Sequence, residues 1–317
     1  MTTQIEIPAD LAGTRADRAV AVLCGVSRRA ARLTIESGGV MRGGLALAGS
    51  SKVAEGDILH VGLVEKQESV TPESSVEFAV AFEDDDVIVV DKPAGVVVHP
   101  GAGRAGGTLA NGLLARYPEI AELGPEYRWG IVHRIDRDTS GLLIVGKNAM
   151  AFDHLQAALK RRDIKREYRA LVAGQFASAT GTIDAPVGRD PAEPTRMAVV
   201  EMGRPARTHY QRLAAWEDAD VSFASVALET GRTHQIRVHM RSIGHPLVGD
   251  PVYGRKRPMP GDPGRTWLHA ASLTFDHPSG AGAITIRSDL PADLSASLAG
   301  LGEPTRGVVV ESADGLR

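Results

Sequence analysis

A short charged segment between two apolar runs is the part of this sequence best suited to do chemistry. Within 130–148, the apolar pair Ile131 and Val132 leads into HRIDRD, a Thr-Ser-Gly turn follows, and LLIV then forms a strongly apolar run. A carboxylate in a loop between two buried strands is held rigidly, as a nucleophile or a general base must be. Asp136 is therefore a candidate catalytic residue. The alternative interpretation is a solvated charged turn without a catalytic role.

The most basic stretch of the chain lies at 160–169, where Lys165 and Arg166 shortly precede Tyr168. Neutralising the phosphates of a nucleic acid is a natural use of such a stretch, so both cations are candidate nucleic-acid-binding residues. A solvated helix end is the alternative interpretation. Tyr168 lies in a strand-like run, and a tyrosine in a strand is by itself more often a core or interface residue.

Composition and charge limit the class of protein. A net charge of −3 argues against general wrapping of a polyanion, but nucleic acid binding depends on the local field of a basic face. Cys24 is the only cysteine, which excludes an internal disulfide and a zinc ribbon. No stretch reaches the roughly 18 apolar residues of a membrane span, and the first residues do not resemble a signal peptide. We therefore expect a soluble, cytoplasmic, monomeric protein with no membrane partner.

Two patterns that suggest cofactors are weak. The sequence GAGRAG at 101–106 fits the dinucleotide-binding pattern G-x-G-x-x-G, but no series of βαβ units follows it. His234 and His239 are five residues apart, which places them on different faces of either a helix or a strand. No cysteine cluster or HExxH motif accompanies them, so we expect no cofactor and no metal.

Two domains are the expectation for a chain of 317 residues. The segment EKQESVTPESS at 65–75 is polar and contains Pro72, which is typical of a linker. The sequence predicts a first domain at 1–65, a linker at 66–75, a catalytic domain at 76–299 and a flexible tail at 300–317.

Runs of strands interrupted by occasional helices follow the linker, and this order predicts an α+β fold. The short apolar runs include predicted strands at 96–99 and 142–145. Helical periodicity is present at 108–117, 149–162 and 234–243.

The segment HRIDRDTSGLL at 133–143 resembles the HRLDxxTSGLL signature of the RluA/RluD family of RNA pseudouridine synthases. Four further segments resemble family segments in family order, namely VVDKPAGVVVHPGAG, KREYRALVAG, LETGRTHQIRVHMRSIGHPLVGDPVYG and LHAASLTFDHP. Together they cover roughly 78–278. The departures are Ile135, where leucine is usual, and Arg128-Trp129-Gly130, where Arg-Pro-Gly is common.

The resemblance implies that the protein isomerises uridine to pseudouridine in structured RNA without a cofactor, on a mixed and largely antiparallel sheet with flanking helices. Asp136 corresponds to the catalytic aspartate, Tyr168 lies beside the target base, and Arg237 pairs with Asp136. A carboxylate in a water-poor pocket needs such a partner to stay ionised, and a guanidinium can hold it bidentately. Arg134 fills the stack that the flipped base leaves, and Arg232 is a further RNA-binding candidate. Whether Asp136 attacks the ribose or acts as a base stays open.

The first domain resembles an S4 RNA-binding domain, more loosely than the second domain resembles its family. The sequences TRADRAVAVL and VSRRAARLTIESGGV match its helical part and KVAEGDIL its closing strand, whereas VMRGGLALAGS departs from the usual turn. Arg28 and Arg32 share a helix face, and together with Arg29 they are candidate RNA-binding residues. An ordinary solvated helix face is the alternative.

Resemblance to the RluD-like branch, which carries an S4 domain, implies 23S (large-subunit) ribosomal RNA as the substrate. The competing hypothesis is a non-catalytic RNA-binding or ribosome-associated protein with an S4 domain. Such a protein would not need Asp136, Tyr168 and Arg237 together.

Overall fold

A computed structural model describes residues 2–26, 28–62, 70–101, 106–124 and 128–309. The chain divides into two compact units, Met1–Ser69 and Val70–Arg317. Every residue of the predicted catalytic site belongs to the second unit.

The first unit contains a four-stranded antiparallel sheet in the order β1-β4-β2-β3 and two helices that pack against each other. Its elements are β1 (Thr2–Glu6), a 3-10 helix (Ala9–Leu11), α1 (Ala16–Leu23), α2 (Arg28–Glu36), β2 (Val40–Arg42), β3 (Leu45–Ala46) and β4 (Ile58–Gly62). Side chains alternate along β4, where Leu59 and Val61 are buried in a core shared with Ala19 and Val20 of α1. The S4-like character of this unit stays a prediction.

The second unit is built on one large sheet. Its elements are β5 (Ala79–Glu83), β6 (Val87–Lys92), α3 (Leu109–Arg116), a 3-10 helix (Pro118–Glu122), β7 (Ser140–Gly146), α4 (Ala149–Arg161), β8 (Lys165–Ala173), β9 (Thr180–Asp184), β10 (Val187–Arg189), β11 (Met197–Val199), β12 (Arg207–Trp216), β13 (Val221–Leu228), α5 (Gln235–Ser242), β14 (Leu268–Asp276), β15 (Ala283–Arg287), α6 (Ala292–Ala299) and β16 (Arg306–Gly307).

The sheet has ten strands, with the central order β16-β12-β13-β8-β14-β7-β6-β5, β15 beside β14 and β9 beside β12. Among the described residues, β7 and β14 pair in parallel and the other neighbours pair antiparallel. Strands β10 and β11 form a separate hairpin. The predicted α+β fold with a mixed, largely antiparallel sheet and flanking helices is confirmed.

The apolar run LLIV lies in β7, which is buried on both of its faces. Because side chains alternate along a strand, Leu143 and Val145 join the core that includes α3 and α5. Leu142 and Ile144 join a second core formed with α4. Because β7 is packed on both faces, its position in the sheet is rigid. The charged loop at 133–138 leads into β7, so the end of this loop is held in place as well.

Two segments expected to be flexible are packed in the second unit. Val70 is buried, and the backbone oxygen of Thr71 accepts a hydrogen bond of 2.8 Å from Asn111 in α3. The linker prediction is therefore wrong for 70–75, while 63–69 lie outside the described residues. The tail prediction is wrong for 300–309, because β16 pairs with β12 and Trp216 donates its indole proton to the oxygen of Gly302.

Two smaller predictions differ from the structure or fall outside it. Residues 96–99 do not form the predicted strand, since Val97 makes only an isolated bridge to Thr108. The glycine-rich GAGRAG pattern falls mostly on 102–105, which lie outside the described residues.

Candidate active site

The charged loop that contains Asp136 ends in a turn that requires glycine. Gly141 has a φ of +106°, a conformation that side-chain-bearing residues rarely adopt. A Cβ atom at this position would also collide with the backbone oxygen of Ala270 on β14. The Thr-Ser-Gly turn therefore lets β7 and β14 approach closely at the point where the loop joins the sheet.

Backbone amides and the side chains of a lysine and an arginine donate hydrogen bonds to the backbone oxygens of this loop. The oxygen of Asp136 accepts from the amide of Thr139 at 3.2 Å, and that of Asp138 accepts from Arg265 at 3.0 Å. The oxygen of Arg137 accepts from both Lys92 and the amide of Gly95. These bonds immobilise the loop, as precise placement of a reactive carboxylate requires.

Lys92, at the end of β6, is completely buried beneath this loop. Its Nζ atom donates to the oxygens of Pro93 and Val96 at 2.8 Å and to that of Arg137 at 3.0 Å. Burial lowers the pKa of Lys92 to about 7, against the opposing effect of nearby Asp138 and Asp136. Lys92 was not among the residues predicted from the sequence, although a lysine at the end of an apolar strand and before a proline was a visible signal.

Arg237, on α5, makes the expected ion pair with Asp136, with 3.2 Å between Nη1 and Oδ2. The expectation that Arg237 binds Asp136 bidentately is wrong. The guanidinium instead binds Asp250 through Nε at 2.7 Å and Nη2 at 2.9 Å, and gives Asp136 a single bond. Asp250 was missed in the sequence because nothing local marks it as a partner for an arginine.

Asp250 is a carboxylate that the fold keeps ionised. Burial alone would raise the pKa of Asp250, but the Arg237 guanidinium and the amides of Tyr253 and Val252 hold it below its ordinary value. Both amides donate to Oδ1 at 2.9 Å. Asp250 and Asp136 in turn raise the pKa of Arg237 above its ordinary value although burial opposes the shift.

His234 is a further neighbour of the carboxylate that sequence reasoning missed. It directly precedes α5 with a φ of 57°, and its Nε2 lies 4.0 Å from Oδ2 of Asp136. Its Nδ1 lies 2.9 Å from the hydroxyl oxygen of Tyr253. Burial lowers the pKa of His234, against the opposing effect of Asp136. In the sequence, this histidine was considered only as a metal ligand.

The three predicted catalytic residues meet at one cavity of about 80 Å³. Asp136 is 20% exposed there, Arg237 approaches it from α5, and the buried Tyr168 projects from the centre of β8. Burial raises the pKa of Tyr168. The predicted RNA-binding residues Arg134, Arg166 and Arg232 line the same cavity. The fold thus brings six of the predicted residues together, and their individual roles stay predictions.

Of the remaining predicted RNA-binding residues, Lys165 belongs to the second unit and Arg28, Arg29 and Arg32 belong to the first. Lys165 is exposed and lines a polar hollow. It lies three residues before Tyr168 on β8, and because successive side chains along a strand alternate between the two faces, it points to the opposite face of the sheet. Arg32 is exposed on α2 and pairs with Glu36 at 2.7 Å. The side chains of Arg28 and Arg29 lie outside the described part of the structure.

The described residues contain no group of three histidine, cysteine or acidic side chains that could hold a metal ion. No helix within the same residues is long and apolar enough to cross a membrane.

Known proteins are similar to this chain in both sequence and fold. The model of the RNA pseudouridylate synthase family matches residues 86–242. "Ribosomal large subunit pseudouridine synthase D" of Nitrosomonas europaea is 44% identical over 306 residues, which cover 94% of this chain and 87% of that protein. The protein of the same name from Pseudomonas aeruginosa is 41% identical over 305 residues, covering 91% and 92%.

Among solved structures, "Human RNA Pseudouridylate Synthase Domain Containing 1" superposes with a TM-score of 0.57 at 28% identity, covering 71% of this chain and 89% of the human chain.

Proposed function

Because the chain belongs to the RNA pseudouridylate synthase family, we propose that it converts uridine to pseudouridine in structured RNA with Asp136 as its catalytic residue. One observation carries the assignment of Asp136. Its carboxylate, paired with the buried Arg237, faces the same cavity as Tyr168. A rigidly held carboxylate with a cation beside it in a partly enclosed cavity has the properties that a nucleophile or a base requires.

The reaction breaks the bond between N1 of uracil and C1′ of ribose, turns the base, and joins C5 to C1′. The proton on C5 is lost and N1 gains one, so no atom and no electron is exchanged with a cofactor. A paired base cannot reach the cavity, so the uridine must first leave its stack. Tyr168 packs against the flipped base, and the exposed Arg134 at the cavity fills the vacated position.

Asp136 keeps acceptor capacity for the substrate. It receives one hydrogen bond from Arg237, whereas an ionised carboxylate has about four lone-pair sites. That capacity suits both an attack on C1′ and removal of a proton. Arg237 is the positioning residue in either case, because it acts on the reaction through the carboxylate.

We further propose the large-subunit ribosomal RNA as the substrate, and action as a monomer in the cytoplasm. The support comes from the bacterial relatives, which are named ribosomal large subunit pseudouridine synthases and match over most of this chain. The candidate contacts with that RNA are Arg232, Lys165 and Arg166 in the second unit and Arg28, Arg29 and Arg32 in the first.

Mapping pseudouridines in ribosomal RNA from cells with and without this gene tests the proposal. We expect one or more pseudouridines of the large-subunit RNA to disappear in the deletion strain and to return when the intact gene is restored. A complete set of pseudouridines in the deletion strain would overturn the assignment of that RNA.

A further inference from the structure

Arg166 is a buried cation that has no counter-ion among the residues that the structure describes. It is 5% exposed, it lines the cavity that contains Asp136 and Tyr168, and burial lowers its pKa. Within the described part of the chain, its Nη2 donates only a long hydrogen bond of 3.4 Å to the backbone oxygen of Glu229. Its Nε is buried and has no hydrogen-bond partner among the described residues. Such an arrangement is unfavourable in a protein interior.

Two other arginines of this unit, one buried and one largely buried, have carboxylate partners. Arg237 binds Asp250 and Asp136, and the largely buried Arg265 binds Asp293 at 2.5 Å. Arg166 differs from both, because no carboxylate among the described residues lies within ion-pair distance of it.

A neighbouring histidine is also unsatisfied. His133 is 6% exposed, and neither of its ring nitrogens has a hydrogen-bond partner among the described residues. Burial and the charge of Arg166 lower the pKa of His133 to about 3, so this ring is neutral at physiological pH. His133 does not line the cavity, whereas Arg166 does, so the unpartnered Nε of Arg166 is the atom that indicates a polar group of a ligand completing the site.

The guanidinium of Arg166 lies next to Gly231, and both residues line the cavity. A Cβ atom on Gly231 would lie 2.8 Å from Nη1 of Arg166, so glycine leaves the space that the guanidinium needs. The next residue, Arg232, lines the same cavity. Arg166 thus lies against the segment 229–231, at the wall of the cavity.

We infer that Arg166 binds a phosphate group of the nucleotide whose base enters the cavity, an inference that rests on the proposed function. A phosphate supplies the missing negative charge and several acceptor oxygens at once, and guanidinium groups bind phosphates well. A uracil carbonyl would supply an acceptor but no charge. Holding the phosphate fixes the attached ribose, so that C1′ is presented to Asp136.

Arg169 provides a matched control for the test. It is a buried arginine three residues further along β8, and it lines the polar hollow on the opposite face of the sheet. Its Nη1 donates to the hydroxyl of Ser225 at 3.0 Å.

The first measurement is the affinity of an RNA hairpin substrate at several salt concentrations. Arg166→Gln should reduce the slope of log affinity against log salt by about 0.7–0.9, the change expected when one phosphate is no longer neutralised. Arg169→Gln should leave the slope unchanged. An unchanged slope in Arg166→Gln would overturn the inference.

A second measurement begins with the native protein, so its first result does not depend on the folding of a variant. Hairpins carry a neutral methylphosphonate in place of the phosphate on the 5′ or the 3′ side of the target uridine. At one of these two sites, the methylphosphonate should weaken the binding of the hairpin to the native protein. The Arg166→Gln variant should bind that modified hairpin and the unmodified hairpin equally well. Equal binding of all three hairpins by the native protein would contradict the inference. Conversion of the unmodified hairpin tests the proposed function separately.

Discussion

Arg237 gives Asp136 a single hydrogen bond, at 3.2 Å, and uses its Nε and Nη2 atoms to bind Asp250 at 2.7 and 2.9 Å. Asp250 is completely buried and also accepts hydrogen bonds from two backbone amides. The side chain of Asp250 is therefore fixed, and it holds the Arg237 guanidinium in place beside Asp136. The position of Asp136 therefore depends on a second carboxylate that does not line the cavity. This arrangement leaves most of the acceptor capacity of Asp136 free for substrate.

Removal of this arginine is expected to affect stability and turnover together. Arg237→Ala leaves Asp250 buried without its partner, which should lower the free energy of unfolding by about 3–5 kcal/mol. Pseudouridine formation should collapse, because Asp136 no longer has the arginine that positions it. Urea unfolding and a turnover assay measure the two effects.

Arg255→Ala is the control, since Arg255 pairs with Asp220 on the surface and such pairs contribute about 0–1 kcal/mol. A stable and active Arg237→Ala variant would show that Arg237 does not serve Asp136.

Tyr168→Phe separates the ring of this residue from its hydroxyl. The ring should still pack against the flipped base, so the affinity for RNA should change little. Turnover should fall at least tenfold if the hydroxyl takes part in proton removal. Single-turnover assays at saturating enzyme measure this step, and unchanged turnover would limit Tyr168 to packing.

Lys92 should make stability depend on pH. Its pKa of about 7 in the folded protein lies below its ordinary value of 10.5, so between these values the unfolded chain binds a proton that the folded protein does not. The free energy of unfolding should therefore rise with pH across this window, by up to about 1.4 kcal/mol per pH unit from this group. Below about pH 7 the contribution of Lys92 to the slope should vanish.

The measurement is chemical denaturation at pH values from 6 to 9 for the native protein and for Lys92→Met. The variant should show a smaller rise in stability between pH 7 and 9. Parallel curves for the two proteins would mean that Lys92 keeps its proton throughout this range.

The pattern of the residues by itself marked only Asp136 as a candidate, whereas the family resemblance singled out Tyr168 and Arg237. The buried run in β7 fixes the loop that contains Asp136, and a carboxylate in an enclosed site requires a cation. The alternation of side chains along β8 also implies that Lys165 and Arg166 point to opposite faces. The sequence alone is therefore sufficient to place these two residues on different faces of the sheet.

The supporting contacts could not be predicted in the same way because they join distant parts of the chain. Lys92 binds the oxygen of Arg137, which lies 45 residues away, and this contact exists only after β6 and β7 pair. The bond from Trp216 to Gly302 spans 86 residues and explains why a glycine-rich segment near the end is ordered. Composition alone suggested flexibility for that segment.

Deleting residues 1–69 should spare the chemistry, because the whole candidate site lies in the second unit. The deletion removes Arg28, Arg29 and Arg32, and the slope of log affinity against log salt should fall by roughly 0.7–0.9 for each phosphate that these arginines neutralise. The truncated protein should modify a saturating short hairpin but show poorer affinity or site selectivity on long ribosomal RNA. An unchanged slope and unchanged selectivity would make these arginines an ordinary solvated helix face.

The central claim is that the carboxylate of Asp136 is essential, and Asp136→Asn tests it most directly because the change keeps the shape of the side chain and removes its charge. Asp138→Asn is the matched control in the same loop, where the side chain pairs with the exposed Arg137 at 2.9 Å. We predict that purified Asp136→Asn folds and binds RNA nearly as the native protein does, yet forms no detectable pseudouridine, whereas Asp138→Asn stays active. Measurable pseudouridine formation by Asp136→Asn would contradict the account.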